Sequence, residues 1–264
     1  MCAAWKRARG VRENAEVRHL LDDPAWHALI GPLAPFATGM GAARRVSPEH
    51  SFFSALDPGI DAAAAAGDLE AIVEPGARGV FVGVDIVVPP GFDEIGRGTA
   101  LQMVLVDHDA LGSTAATSRR RVHAGGAPPL ELVELGTADV ADMLALIDNA
   151  RPGPFLARTI ELGTYIGIRV DGVLVAMAGE RLRLPGYVEV SAVSTHDSQR
   201  RRGLASLVVA EVATRALARG DTPFLHVVET NVTAIPVYER LGFRRRRTVE
   251  FVAYTRAVGE VGSS

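Results

Sequence analysis

Cysteine, excess charge, long apolar runs and grouped metal ligands are all scarce in this chain, and each scarcity excludes a class of protein. Cys2 is its one cysteine, so no disulfide framework can hold the fold, and a reducing cytoplasm is the expected compartment. Nothing around Cys2 would lower its thiol pKa, which argues against a nucleophile. A formal net charge of −3 supplies no basic field for nucleic acid or for an anionic membrane. No stretch stays apolar for the length of a membrane span. Lys6, Arg7, Arg9 and Arg12 are followed by no apolar run, so no secretory signal is expected. His226 has no Cys, Asp or second His at ligand spacing, and no metal is expected.

What is present is ordinary for a soluble globular protein: 48% hydrophobic and 22% charged residues. A chain of 264 residues can bury one large core or two small ones. Three regions are expected. Residues 1–106 form an N-terminal α/β region with a helix over 61–73 and strands over 80–88 and 101–106. Residues 107–129, with Gly112, Arg119–Arg121 and Gly125 to Pro129, show no sustained apolar period and read as a linker or long loop. Residues 130–264 alternate clearly. They predict a strand over 130–135, a helix capped by Thr137 and running through 147, and a break at Arg151 to Pro154. A short helix over 157–162 follows, then strands over 165–170 and 173–184 joined by an Asp171-Gly172 turn. Pro185-Gly186 turns the chain into a strand over 187–195. A helix over 203–219 buries Leu204, Leu207, Val208 and Val212 and stops at Gly220. A strand over 224–229, a short helix over 233–241 with Pro236 in its first turn, and a strand over 243–254 complete the pattern.

The chemistry concentrates where the 187–195 strand meets the 203–219 helix. The first helical N–H groups have no intrahelical partner, and the helix dipole adds partial positive charge there. Gly203 lets a ligand approach the backbone, Leu204 and Ala205 open the first turn, and Arg200, Arg201 and Arg202 supply formal charge. A pyrophosphate suits such a site.

Arg200-x-x-Gly203-x-Ala205, placed between a strand and a helix, is followed by Asn231-x-x-Ala234 and by Tyr238-Glu239-Arg240-Leu241-Gly242-Phe243. This ordered set resembles the GCN5-related N-acetyltransferase (GNAT) superfamily, and its FR47-like branch in particular, over roughly residues 130–256. The resemblance implies an α/β fold of the α+β kind, with a mixed central sheet flanked by helices. It leaves open whether the N-terminal region is a degenerate copy of the same fold. It implies acetyl-CoA as co-substrate, bound at Arg200–Ala205, with main-chain groups of Val193, Ser194 and Thr195 along the pantetheine arm and Asn231 also touching that arm. Thr195 and Asp197 stand where the family more often has an apolar residue and a proline.

Acyl transfer to an amine needs a held donor, a base for the ammonium and stabilisation of the leaving thiolate. An amine titrates near about pH 10, so its proton needs an acceptor at neutral pH. Glu189, eleven residues before Arg200, has the spacing of the family's base glutamate. Strand alternation puts it on one face with Ser191, Val193 and Thr195. An arginine-paired strand glutamate is the competing reading, and Glu180 is the rival base. Tyr238 matches the family's general acid, against the alternative of a packed helical aromatic. Arg158, in the loop on the acceptor side, has the chemistry to receive a substrate carboxylate. The expected activity is acetyl transfer to a primary amine of a small molecule or peptide. Amino-acid N-acylation and a non-catalytic acyl-CoA-binding module are the alternatives, and a homodimer is the default assembly.

Overall fold

The computed structural model describes residues 18–123, 130–150 and 155–258. The features noted around Cys2, at Gly125 to Pro129 and at Arg151 to Pro154 lie outside them. The chain divides into two compact units. One holds residues up to 48, 52–99 and 248 onward; the other holds 49–51 and 100–247. The division therefore does not fall at 107–129.

In the first unit, helix α1 (Pro24–Leu29) precedes an antiparallel sheet of β1 (Ala37–Met40), β2 (Ala43–Val46) and β3 (Ser54–Leu56). Helix α2 covers only Ala66–Glu70. The longer helix expected from residue 61 does not form, because the Asp61 carboxylate takes the Ala63 N–H at 2.9 Å and starts a turn instead. Strand β4 (Arg78–Gly83) ends five residues earlier than expected. Strand β5 (Phe92–Leu105) begins nine residues earlier than expected. Its residues 93–99 are exposed, so they carry none of the apolar alternation that reveals a strand.

In the second unit, the end of β5 is followed by α3 (His108–His123), where a linker or loop was expected. Leu111 is buried and Ala115 packs beside it in the unit's main core, one helical turn apart, and this narrow stripe is enough to hold the helix. Strand β6 (Glu131–Leu135) leads to a 3-10 turn at Thr137–Asp139 and helix α4 (Val140–Ala150). Thr137 is not the cap. Asp139 accepts the Gly136 N–H at 2.8 Å and anchors the start of the turn in its place. Strands β7 (Tyr165–Val170) and β8 (Val173–Leu184) form a hairpin whose two turn residues, Asp171 and Gly172, have φ of +50° and +79°, as a twisted two-residue turn requires. Strand β9 (Tyr187–Thr195), helix α5 (Leu204–Ala218), strand β10 (Thr222–Val228), helix α6 (Ile235–Arg240) and strand β11 (Phe243–Arg256) follow. In the first unit, β11 pairs antiparallel with β4 over residues 250–255.

Within the second unit the strands run in the order β5-β10-β9-β8-β7-β6. Only β9 and β10 are parallel; the other neighbours are antiparallel. This is the mixed sheet of an α+β fold, with a helical layer on each face. On one face Leu204, Leu207, Val208 and Val212 of α5 are buried against β5, β7, β8, β9 and β10; each such side chain contributes about 1.5–3 kcal/mol. On the other, Met143, Leu146 and Ile147 of α4 pack on Leu135, Tyr165 and Met177.

Candidate active site

The parallel pairing of β9 with β10 is recorded only from Thr222↔Tyr187 to Phe224↔Glu189. Beyond that, β9 continues to Thr195 and β10 to Val228 without pairing to each other, so backbone groups of β9 face a gap. Strand β9 also carries a bulge in the same stretch. Ser191 pairs with Gly179 but Ser194 pairs with Met177, so two residues of β9 oppose Ala178 alone. Ala192 absorbs the extra residue at φ +52°, a conformation costing about 1–2 kcal/mol for a residue with a Cβ.

A bulge shifts the side-chain parity of everything beyond it. Val190 and Val193 both pack in the core under α5, whereas Ala192 packs with the α4 cluster. The expected single face of Glu189, Ser191, Val193 and Thr195 is therefore broken between Glu189 and Val193. Val193 and Thr195 line a cleft of about 1120 Å³, and neither Glu189 nor Ser194 does. Ser194 is buried, its hydroxyl donating to the Ala192 carbonyl at 3.2 Å.

The cleft is closed at one end by the entry to α5. Arg201 and Gly203 have φ of +63° and +87°, which curls the loop so that successive N–H groups converge. The first bond to the helix is Leu207 N–H to the Gly203 carbonyl at 3.2 Å, leaving the N–H groups of Leu204, Ala205 and Ser206 without an intrahelical acceptor. Arg200, Arg201, Gly203, Leu204 and Ala205 all line the cleft. Arg202 does not; its guanidinium donates to Gln199. Arg200 also holds Asp197 at 2.6 Å, which offsets the carboxylate that departs from the family pattern. Asn231 lines the cleft, and its Oδ1 accepts the Ala234 N–H at 3.1 Å, ordering the chain into α6. Tyr238 lines it from α6. It is 8% exposed, and burial pushes its phenol up to about 12, so it keeps its proton at neutral pH.

Glu189 lies elsewhere and is fully engaged. Its Oε1 accepts from Arg181 at 2.6 Å and from His226 Nδ1 at 2.7 Å, and its Oε2 accepts from Arg181 Nε at 2.9 Å. The neighbouring bonds settle the tautomer. Arg246 donates to Gln102 Oε1 at 2.8 Å, so the Gln102 amide nitrogen faces His226 Nε2, 3.1 Å away, which must then accept. His226 therefore carries its hydrogen on Nδ1 and gives it to Glu189. Burial alone would raise the Glu189 carboxyl, but Arg181 beside it and the His226 hydrogen bond hold it at about 2. A carboxylate 1% exposed, with both oxygens taken and a depressed pKa, is a poor base. Glu189 thus takes the arrangement of the competing reading, an arginine-paired strand glutamate outside the cleft. Glu180 is no substitute, because it is buried, accepts from Arg219 and takes the Thr164 N–H at 3.3 Å. Arg158 is likewise held, by Glu49 and by Glu161 at 2.7 Å.

Two features of the cleft were missed from the sequence. Thr195 Oγ1 is buried without a hydrogen-bond partner. Ser113, Thr114, Thr117 and Ser118 of α3 form one wall, and the Leu111-Ala115 spacing was the signal available for that helix. An orphan hydroxyl, unpaired backbone amides and three arginines, Arg200, Arg201 and Arg240, together suit a long, acceptor-rich ligand such as an acyl-CoA.

The family model described as FR47-like protein matches residues 165–252. A GNAT-family protein from Novosphingobium aromaticivorans, provisionally named an acetyltransferase, is 33% identical. The match covers 91% of this chain and all of that one, with a TM-score of 0.74. A GCN5-related N-acetyltransferase from Kribbella flavida shares the fold at 20% identity and TM-score 0.59, over 93% of this chain and 98% of its own. A GCN5-related N-acetyltransferase-like protein from Streptococcus suis does so at 16% and 0.53, over 88% and 92%. No protein of curated function matches. With a third of its residues shared over nearly its whole length, the chain belongs to the GCN5-related N-acetyltransferase family.

Proposed function

We propose that the protein transfers acetyl from acetyl-CoA directly to a primary amine of a small molecule or peptide. One observation supports this above the others: the unpaired end of β9, the entry to α5 and Tyr238 all face one cleft. Arg200, Arg201 and the free amides of Leu204 to Ser206 would hold the pyrophosphate. The open β9 edge beyond Glu189 would bind the amide-bearing arm as a neighbouring strand would. Acetyl-CoA supplies an activated thioester. Tyr238, protonated at neutral pH, donates a hydrogen bond to the departing sulfur. Among the described residues, the one carboxylate in the cleft wall, Asp197, is paired to Arg200. The amine therefore loses its proton to water rather than to Glu189.

Thermal melting with CoA and with acetyl-CoA, followed by thiol release over a panel of amines, tests the reading. Donor at a hundred times Kd should stabilise the fold by about 2.7 kcal/mol, and at least one amine should release thiol. Absence of stabilisation by either nucleotide would remove it.

A further inference from the structure

Helix α3 lies outside the FR47-like match at 165–252, yet it builds one side of the donor cleft. Ser113, Thr114, Thr117 and Ser118 are all in the wall, at positions i, i+1, i+4 and i+5, a single helical face. The helix is fixed in place. Leu111 and Ala115 pack in the same core as Leu204 and Leu207, and the Thr114 hydroxyl donates to the Arg240 carbonyl at 2.7 Å.

Ser118 lies against Gly203, the residue that opens α5. It is buried, and its Cβ and Oγ would lie 3.4 Å from a Cβ placed on Gly203. Thr117 accepts a bond from Arg120 at 3.2 Å through its Oγ1, which leaves its hydroxyl hydrogen to be donated elsewhere and draws a further guanidinium toward this wall. Ser113 and Thr114 already donate to carbonyls, of Ala110 and Arg240. The face thus separates into two anchoring hydroxyls and two with a hydrogen to give.

Resting on the donor reading above, we infer that Thr117 and Ser118 are specificity-determining residues whose hydroxyls donate to the diphosphate of the donor, completing from α3 the anion site that α5 begins. Hydroxyl donors on the side opposite backbone amides favour a group with several charged acceptor oxygens spread over more than one centre, as a bridging diphosphate has.

The test is calorimetric binding of CoA, dephospho-CoA and pantetheine to the full chain and to the Thr117→Val, Ser118→Ala double variant. Thr117→Val keeps the side-chain shape, and Ser118→Ala removes the hydroxyl alone. The expected result is a loss of about tenfold or more for CoA and for dephospho-CoA alike, with pantetheine unchanged. Loss for CoA alone would move the contact to the 3′-phosphate and overturn the assignment. Equal loss for pantetheine would make the effect one of packing and overturn it too, as would unchanged binding of all three. Failure of the unaltered chain to bind any of them would remove the donor reading itself, which the other outcomes leave standing.

Discussion

Two ends of one strand behave oppositely. Through Glu189, β9 is paired on both sides and its charge is consumed within the protein: Arg181, Glu189, His226, Gln102 and Arg246 form a chain of hydrogen bonds across β8, β9, β10, β5 and β11. Past Glu189, β9 keeps β8 but no longer pairs with β10, Thr195 keeps an unanswered hydroxyl, and the neighbouring helix entry keeps unanswered amides. Satisfied polar groups make the first end rigid and chemically inert. Unsatisfied ones make the second end a place for a ligand.

The comparison breaks most visibly if the inert end is opened. Glu189→Ala removes the carboxylate to which Arg181 and His226 both donate, and chemical unfolding should show a loss of about 3–5 kcal/mol. The same carboxylate predicts acid sensitivity. Its pKa is depressed from 4.5 to about 2, so its stabilisation is complete above about pH 4.5 and disappears as pH falls toward 2. A melting temperature that is flat across this window in the parent, or equal in the parent and a Glu189→Gln variant at pH 7, would show that the network carries no stability.

Next in size is Tyr238→Phe. The ring packing on Phe243, centroids 6.2 Å apart, is kept, so CoA affinity should hold while kcat falls about a hundredfold. An unchanged kcat would make Tyr238 a packing residue and leave the thiolate to other groups.

The smallest effect should have two signs. Thr195→Val removes a buried hydroxyl without a partner, so the free protein should gain up to about 1 kcal/mol, while CoA binding weakens by a comparable amount. A variant that loses stability without ligand would show that Thr195 is already satisfied in the free protein.

Much of this was legible from residue order. The hairpin at Asp171-Gly172, the turn at Pro185-Gly186 with φ +76° at its glycine, and α5 with its stop at Gly220 came from local chemistry. So did the turn into α5, since the positive φ at Gly203 and the first helical amides are properties of the backbone there. Helix α3 was hidden because hydroxyls and arginines replace the broad apolar stripe, and its reason for being helical is a core made by other elements. The single face expected for Glu189, Ser191, Val193 and Thr195 failed on parity: counting by twos along β9 assumes an unbroken ladder, and Ala192 offers no glycine or proline to announce a bulge.

Sequence alone determined the family pattern, the order of strands and helices and the phosphate-suited turn, because periodicity, caps and turn residues act within a few positions of themselves. Tertiary structure alone decided which residues share the cleft. Face and burial depend on strand pairing across β8, β9 and β10, where one extra residue at the bulge sends Thr195 into the cleft and leaves Glu189 locked between Arg181 and His226.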